Sequence, residues 1–278
     1  MLVAGVIIFA LSSLAGGLAS SQGVLVGARL VQGVGAALMS PAALSELTTT
    51  FSEGKDRNTA LGVWGAVSGM AFAGAFAMFF YITLYMQEIL HYSPIKAGAA
   101  YLPITAGFAV AGGVASQLVT RVGTRLVVVG GAVTGGAGIY YLSRVPVHGS
   151  YVADLLPGFI VMSLGMGSVF VAVTTAANAG VPGEAAGLAA GLLNASQQVG
   201  SALGLAILSA IAITRTNDLL AAHTARLDAL DAGYHRGLLV GSIFLIGAAV
   251  IALRIGNTRA AAPLVLAPSA AAPEHADT

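Results

Sequence analysis

The sequence predicts an all-α fold, a polytopic bundle of about eight transmembrane helices. Two observations support this prediction: the composition of the chain and the length of its apolar runs. Of the 278 residues, 57% are hydrophobic and only 8% are charged, whereas soluble domains carry about 25% charged residues. Because so few charges cannot cover a water-facing surface, lipid must surround most of the chain.

The apolar runs give the positions of the helices. Crossing about 30 Å of hydrocarbon at 1.5 Å per residue takes roughly 20 residues, and runs of this length satisfy their backbone in lipid only as helices. The eight runs that reach or approach this length are Leu2–Ser20, Val24–Leu47, Ala60–Leu90, Ala97–Leu118, Leu126–Ser143, Leu155–Ala177, Leu188–Ile213 and Leu238–Ile255.

One connector between the runs is much longer than the others. Thr214–Gly237 carries three Arg and three Asp residues. This polarity favours a solvated loop, and the alternative is a short interfacial helix built on Leu220, Leu227 and Leu230. The loop also contains His223, Asp228, Asp231 and His235. Their spacing matches no specific metal site, so we predict no bound metal.

Composition and motifs argue against several function classes. The net charge is +1 without a basic block, so no nucleic-acid partner is expected. The chain has no cysteine, which excludes disulfides and thiol chemistry. No phosphate-binding loop, dinucleotide fingerprint or nucleophile elbow stands in a convincing context, and no span carries a catalytic pair of titratable groups. We therefore predict no cofactor and no catalytic residue, and a membrane enzyme ranks last.

Arg29 is a charged residue inside an apolar run. It lies five residues into the second span, and a charge in hydrocarbon costs at least about 2.5 kcal/mol on insertion scales. Gln32 follows one helical turn later on the same face. One interpretation is that Arg29 lines a polar pathway. The other is that it extends to the near interface and has no functional role.

The seventh span contains a polar stripe. Asn194, Gln198 and Ser201 are spaced at i, i+4 and i+7, so they share one helix face. They could form a cavity wall, or they could make hydrogen bonds between helices worth about 0.6 kcal/mol each. Tyr85, near the end of the third span, is typical of an interfacial anchor, and a place in the cavity is its alternative.

Acidic residues are missing from the middle of every predicted span. This absence bears on energy coupling, because proton-driven transport usually needs a buried carboxylate or His to carry the proton.

The second span and the connector after it contain a recognisable motif. The run Leu25–Ala37 resembles the fourth-helix motif of the fourteen-helix drug:proton antiporters (EmrB/QacA-like) of the major facilitator superfamily. Pro41 and Phe51–Arg57 continue the resemblance. The motif positions are Arg29, Gln32, Gly33, Gly35, Pro41 and Arg57.

Further segments resemble the same family in the family's order. Leu61–Ala66 resembles the start of helix five. The segments similar to helix nine, the turn into helix ten, the short basic loop with Gly123, and helix thirteen are Leu84–Pro94, Ala97–Pro103, Arg121–Arg125, Gly187–Asn194 and Gln198–Gly204. Together these matches extend over nearly the whole chain to about Ile255.

The departures from the family pattern concern helix number. The chain begins where the family's third helix would begin. The third span begins like helix five and ends like helix nine, with the join near Met70–Phe76, so helices six to eight look deleted. A single long, tilted helix is the alternative. We therefore divide the chain into 1–90, a remnant of the N-terminal half fused to the start of the C-terminal half; 91–255, a C-terminal bundle; and 256–278, a disordered tail.

The resemblance implies multidrug efflux by proton antiport with alternating access. Arg29 and Gln32 would lie on the coupling path. Asn194, Gln198, Ser201 and Tyr85 would lie near the substrate cavity. The partners would be the lipid bilayer, protons and small hydrophobic or cationic drug-like substrates. The alternative is a non-transporting membrane fragment that self-associates or pairs with another transporter chain, and we expect the chain alone to transport poorly.

Lys and Arg placement gives an orientation in the plasma or inner membrane. If Thr48–Thr59 is cytoplasmic, the short loops and tail on that side carry six Lys or Arg residues, against two in the short loops opposite. This bias predicts that both termini are cytoplasmic.

Overall fold

The computed structural model describes residues 2–19, 21–45, 56–178, 183–254 and 257, and the predicted all-α fold is confirmed: no strand occurs among them. The helices are α1 (Leu2–Gly17), α2 (Gln22–Ser45), α3 (Asp56–Leu84), α4 (Pro94–Ala100), α5 (Leu102–Val122), α6 (Thr124–Leu142), α7 (Leu156–Asn178), α8 (Gly183–Ala221) and α9 (Arg226–Leu253). Two π-helical turns, Tyr85–Ile89 and Tyr151–Leu155, extend α3 and precede α7.

Six helical segments of the described chain are long and apolar enough to cross a membrane. They are Gly65–Ile89, Pro94–Val122, Thr124–Leu142, Tyr151–Asn178, Leu193–Ala221 and Arg226–Leu253. They correspond to the third to eighth predicted spans. At the first predicted span the structure has a shorter apolar helix, Ala4–Gly17, and α2 lies at the second. The chain is a multi-pass membrane protein.

Consecutive spans run in opposite directions because their connectors are short, and α4 and α5 together form one span. Four connectors therefore lie at one end of the bundle, which we call the connector end. They are the α1–α2 turn and residues 90–93, 143–150 and 222–225. The opposite end holds Gly123, which separates α5 from α6 with a positive φ of 89°. Asn257 is also there, because its side chain bonds the backbone of Val122 and Arg125.

The core surrounds α3, which contacts α6, α7, α8 and α9. Met78, Tyr81 and Ile82 are among its buried side chains. Small residues let the helices approach closely. A Cβ on Gly165 of α7 would come within 2.5 Å of the Gly131 carbonyl of α6. The α1–α2 hairpin packs mainly on itself and contacts the rest of the structure where α2 meets α8.

The predicted solvated loop Thr214–Gly237 is wrong. α8 continues to Ala221 and α9 begins at Arg226, which leaves a turn of residues 222–225. The helices persist because one face of each is covered: Ala229 and Tyr234 are buried, and Leu230 packs against the core. Of the charges that suggested a loop, Arg215, Asp218 and Asp228 are exposed, whereas Asp231 is buried.

The third predicted span is one continuous helix. α3 runs without interruption through the Met70–Phe76 segment and continues in the π-turn to Ile89. The loss of helices six to eight and the division of the chain at residue 90 stay predictions.

Candidate functional site

Arg29 and Gln32 contact each other on α2, as their spacing predicts. Arg29 Nη1 donates a 2.7 Å hydrogen bond to Gln32 Oε1. Arg29 is exposed and Gln32 is half-buried. The guanidinium therefore stands on the outer surface of the described structure, paired with a neutral acceptor. Its role in coupling stays a prediction.

The polar stripe of α8 divides into an exposed part and a buried part. Asn194 and Gln198 are exposed, whereas Ser201 is buried and donates a 2.7 Å hydrogen bond to the Gln197 carbonyl of its own helix. Ser201 can be buried because its hydroxyl donates a hydrogen bond to a backbone carbonyl of the same helix.

Tyr85 lies far from this stripe. Its ring is buried and its hydroxyl donates a 2.6 Å hydrogen bond to the Pro146 carbonyl in the connector 143–150. One turn earlier, Tyr81 bonds Ser209. Asn194 is fifteen residues from Ser209 on α8, about 22 Å along the helix. The structure therefore does not bring Tyr85 and Asn194 together in one cavity.

The motif glycines differ in their surroundings. Gly33 has open space around it, whereas a Cβ on Gly35 would come within 2.7 Å of the Phe9 nitrogen on α1. At Gly123 the positive φ and the closeness of the Asn257 side chain both favour glycine. These two positions have structural reasons for glycine. Pro41 and Arg57 lie within α2 and α3, but their side chains are outside the described part of the structure.

Several grooves indent the surface between the helices. One of about 340 Å³ lies among α5, α6 and α7, and one of about 390 Å³ lies mainly between α3 and α8. A third, of about 270 Å³, lies near the connector end and combines aromatic rings with polar groups: Phe80, Tyr81, Tyr234, Ser209, Thr216 and Asn217. The predicted cavity residues line none of these three grooves.

Sequence reasoning missed a buried acidic residue near the connector end. Asp231 is only 5% exposed, and its Oδ1 lies 3.4 Å from Nε2 of His235, one turn later on α9. Both were assigned to the loop. The signal that could have found them is the spacing of Leu227, Leu230, Tyr234 and Leu238, which continues the helical period of the last span backwards.

Metal binding has no geometric support in the described residues. No three His, Asp or Glu side chains among them come close enough together to hold an ion. Within that part of the chain, Asp231 and His235 form a pair without a third such ligand.

Comparison with known proteins identifies the family. Residues 66–205 match the family model of the Major Facilitator Superfamily. A puromycin resistance protein of Streptomyces alboniger is 35% identical over 184 residues, which cover 65% of this chain and 37% of that protein. The MFS-type transporter EfpA of Mycobacterium tuberculosis is 30% identical over 223 residues, 73% of this chain and 40% of that protein.

A third relative is named for export. The cephamycin export protein CmcT of Amycolatopsis lactamdurans is 31% identical over 192 residues, 68% of this chain and 38% of that protein. This chain thus spans about two fifths of the length of these curated relatives. The matched model covers half of the chain and lies on its membrane-spanning helices, so the chain belongs to the Major Facilitator Superfamily, a family of transporters.

Proposed function

We propose that this chain works in drug export by proton antiport, with the helices α3–α9 acting as one of two bundles that rock about a central pathway. The observation that supports this proposal most is the match of residues 66–205 to the transporter family, joined to relatives that are named for puromycin resistance and cephamycin export. The substrates would be small hydrophobic or cationic drug-like molecules.

Uneven burial of the spans supports the two-bundle arrangement. In Pro94–Val122 and in Leu193–Ala221, only 22% of the most apolar stretch of the span is buried within the structure, against 44% to 61% in the other four spans. These two spans therefore present the faces that remain for another bundle. The second contains Asn194 and Gln198, whose exposed amides would be costly against lipid and suit a water-filled pathway.

The path residues follow from this arrangement. We propose that Arg29, held by Gln32, lies on the coupling path, and that Asn194 and Gln198 line the substrate route between the bundles. Tyr85 holds the connector 143–150 through its hydrogen bond to the Pro146 carbonyl, and we propose that its role is to position this connector. We place the protein in the plasma or inner membrane with both termini cytoplasmic, which terminal reporter fusions would test.

The test is proton-gradient-dependent efflux of a fluorescent cationic dye from cells that express this chain. Because the faces of α5 and α8 are uncovered, we expect weak efflux above the empty-vector rate. It should be lost on collapse of the gradient and in Arg29→Ala, but retained in Arg215→Ala, a matched exposed arginine on α8. Absence of gradient-dependent efflux, with the chain present in the membrane, would contradict the proposal.

The second candidate function is a non-transporting fragment that pairs with another transporter chain. The same exposed faces of α5 and α8 favour it, because they leave room for a partner bundle. Crosslinking in the membrane between cysteines introduced at Gln198 would detect self-association, with Arg144→Cys at the connector end as the control.

A further inference from the structure

We propose that Asp231 and His235 form a proton-binding site at the connector end of the bundle. The starting observation is one of burial. Among the described residues, Asp231 is the only buried side chain of an acidic or basic residue; the other buried polar side chains are hydroxyls of Ser and Thr. Proton-driven transport usually relies on a carboxylate or His that is sheltered in this way.

The pair has unused hydrogen-bonding capacity. Oδ1 of Asp231 and Nε2 of His235 are both buried, and neither makes a hydrogen bond to any residue that the structure describes, although they lie 3.4 Å apart. Buried polar atoms without a partner are rare in proteins and call for an explanation. A proton bound by the pair would supply the missing donor, because it can sit on the carboxyl oxygen or on the imidazole nitrogen.

Neighbouring elements surround the site with charged and titratable groups. On α9 itself, Asp228 interacts electrostatically with Asp231, and Arg226 interacts electrostatically with Tyr234. From the π-turn after α3, Tyr85 interacts electrostatically with Asp231, and Glu88 hydrogen-bonds with Tyr234.

The connector 143–150 and the turn before α7 complete the surroundings. Arg144 interacts electrostatically with His235. Its guanidinium is held by Tyr140 through a hydrogen bond and a cation–π contact. Asp154 acts on Tyr85. From α8, the hydroxyl of Thr216 lies against Gly233, two residues after Asp231.

Proton uptake changes the charge of the site by one unit. With a neutral imidazole and an ionised carboxylate the pair carries −1, and after one proton from water it carries zero. His235 also hydrogen-bonds with the backbone of Val145, and Tyr85, which interacts electrostatically with Asp231, donates a hydrogen bond to the next carbonyl, that of Pro146. The same connector therefore contacts both His235 and Tyr85, so the bound proton can influence how the connector packs.

Proton binding can be measured without transport. The probe is the proton itself, followed by infrared difference spectra of the detergent-purified chain across a pH series. We expect a carboxylic acid C=O band that shifts in D₂O and disappears as pH rises. Asp231→Asn should remove it, Asp218→Asn, at an exposed acidic residue of α8, should leave it, and His235→Gln should change the pH at which it disappears. An unchanged band in Asp231→Asn would overturn the proposal. Matching circular dichroism would confirm that the variants fold.

The role of this proton in transport rests on the proposed function and needs a second measurement. Proteoliposomes with an internal pH dye report substrate-driven proton flux. We expect at least a tenfold loss of flux in Asp231→Asn and less than a twofold change in Asp218→Asn. Flux equal to wild type in Asp231→Asn would overturn the coupling role. If the wild-type chain shows no flux but the infrared band behaves as expected, the proposed function fails and the proton site stands.

Discussion

Arg29 and Asp231 are both charged residues of membrane-associated helices, but they occupy opposite environments. Arg29 stands exposed on α2, in a hairpin that contacts the rest of the structure mainly through α8. Asp231 is buried in the bundle α3–α9, where Tyr85 of the π-turn interacts with it electrostatically and the connector 143–150 contacts its neighbour His235. The comparison shows that a charge inside an apolar run need not be buried, and that a charge in a polar stretch can be.

The largest expected difference concerns helix packing in the two regions. Gly165→Leu should abolish the folded bundle or lower its stability by more than about 3 kcal/mol, because the side chain would meet the α6 backbone near Gly131. Gly35→Leu should separate α1 from α2 but leave the bundle intact. Thermal unfolding in detergent measures both. Gly130→Leu, which points into open space on α6, is the control. Equal stability of Gly165→Leu and wild type would contradict the packing.

The sequence located the bundle by its apolar runs, and the six spans confirm the positions of the third to eighth predicted spans. The physical reason is that the thickness of the hydrocarbon core sets a minimum length for each span, which is visible in the sequence as an apolar run. This rule does not apply to segments at or beyond the membrane surface. Thr214–Gly237 is polar, and the contacts that stabilise its helices, those of Leu230 and Tyr234 with distant segments, are tertiary. The spacing of its apolar residues is helical, but its polarity favoured a loop.

Partners of individual side chains were equally inaccessible. The spacing of Asn194, Gln198 and Ser201 places them on one helix face. Only the packed structure shows that Ser201 is buried and that its hydroxyl donates a hydrogen bond to the Gln197 carbonyl. The link from Tyr85 to Pro146 spans 61 positions and depends on how α3 meets the connector. Periodicity gives the face of a helix, whereas the neighbour on that face is a tertiary property.

The next largest effect should come from His235 in the bundle. His235→Ala removes the contact to Asp231 and the bond to the Val145 backbone. We expect a loss of about 1–3 kcal/mol of unfolding free energy, because a buried polar group loses its neighbour. Arg236→Ala, the exposed adjacent position, should change stability by less than about 0.5 kcal/mol. Denaturant unfolding in detergent would show the difference, and equal effects would indicate that the pair is not sheltered.

A smaller loss is expected at the link between α3 and the connector. Tyr85→Phe leaves the Pro146 carbonyl without its 2.6 Å donor, which should cost about 1 kcal/mol. Tyr141→Phe removes a 3.0 Å bond to the Ala153 carbonyl at an exposed ring and should cost less, because water replaces the donor there. Hydrogen exchange of residues 143–150 measures the loosening directly. Equal exchange in Tyr85→Phe and wild type would show that other contacts hold the connector.

The smallest effect on stability should come from Arg29. Its side chain is exposed and donates a hydrogen bond to neutral Gln32. Arg29→Ala should therefore change the unfolding free energy by less than about 0.5 kcal/mol. If Arg29 lines the coupling path, the same variant loses dye efflux while its stability is unchanged, and Arg29→Lys recovers only part of the efflux, because an ammonium lacks the planar fork of the guanidinium. A residue that only extends to the interface would leave both measurements unchanged. A large loss of stability would mean that α2 is buried by a partner, which would make Arg29 resemble Asp231 after all.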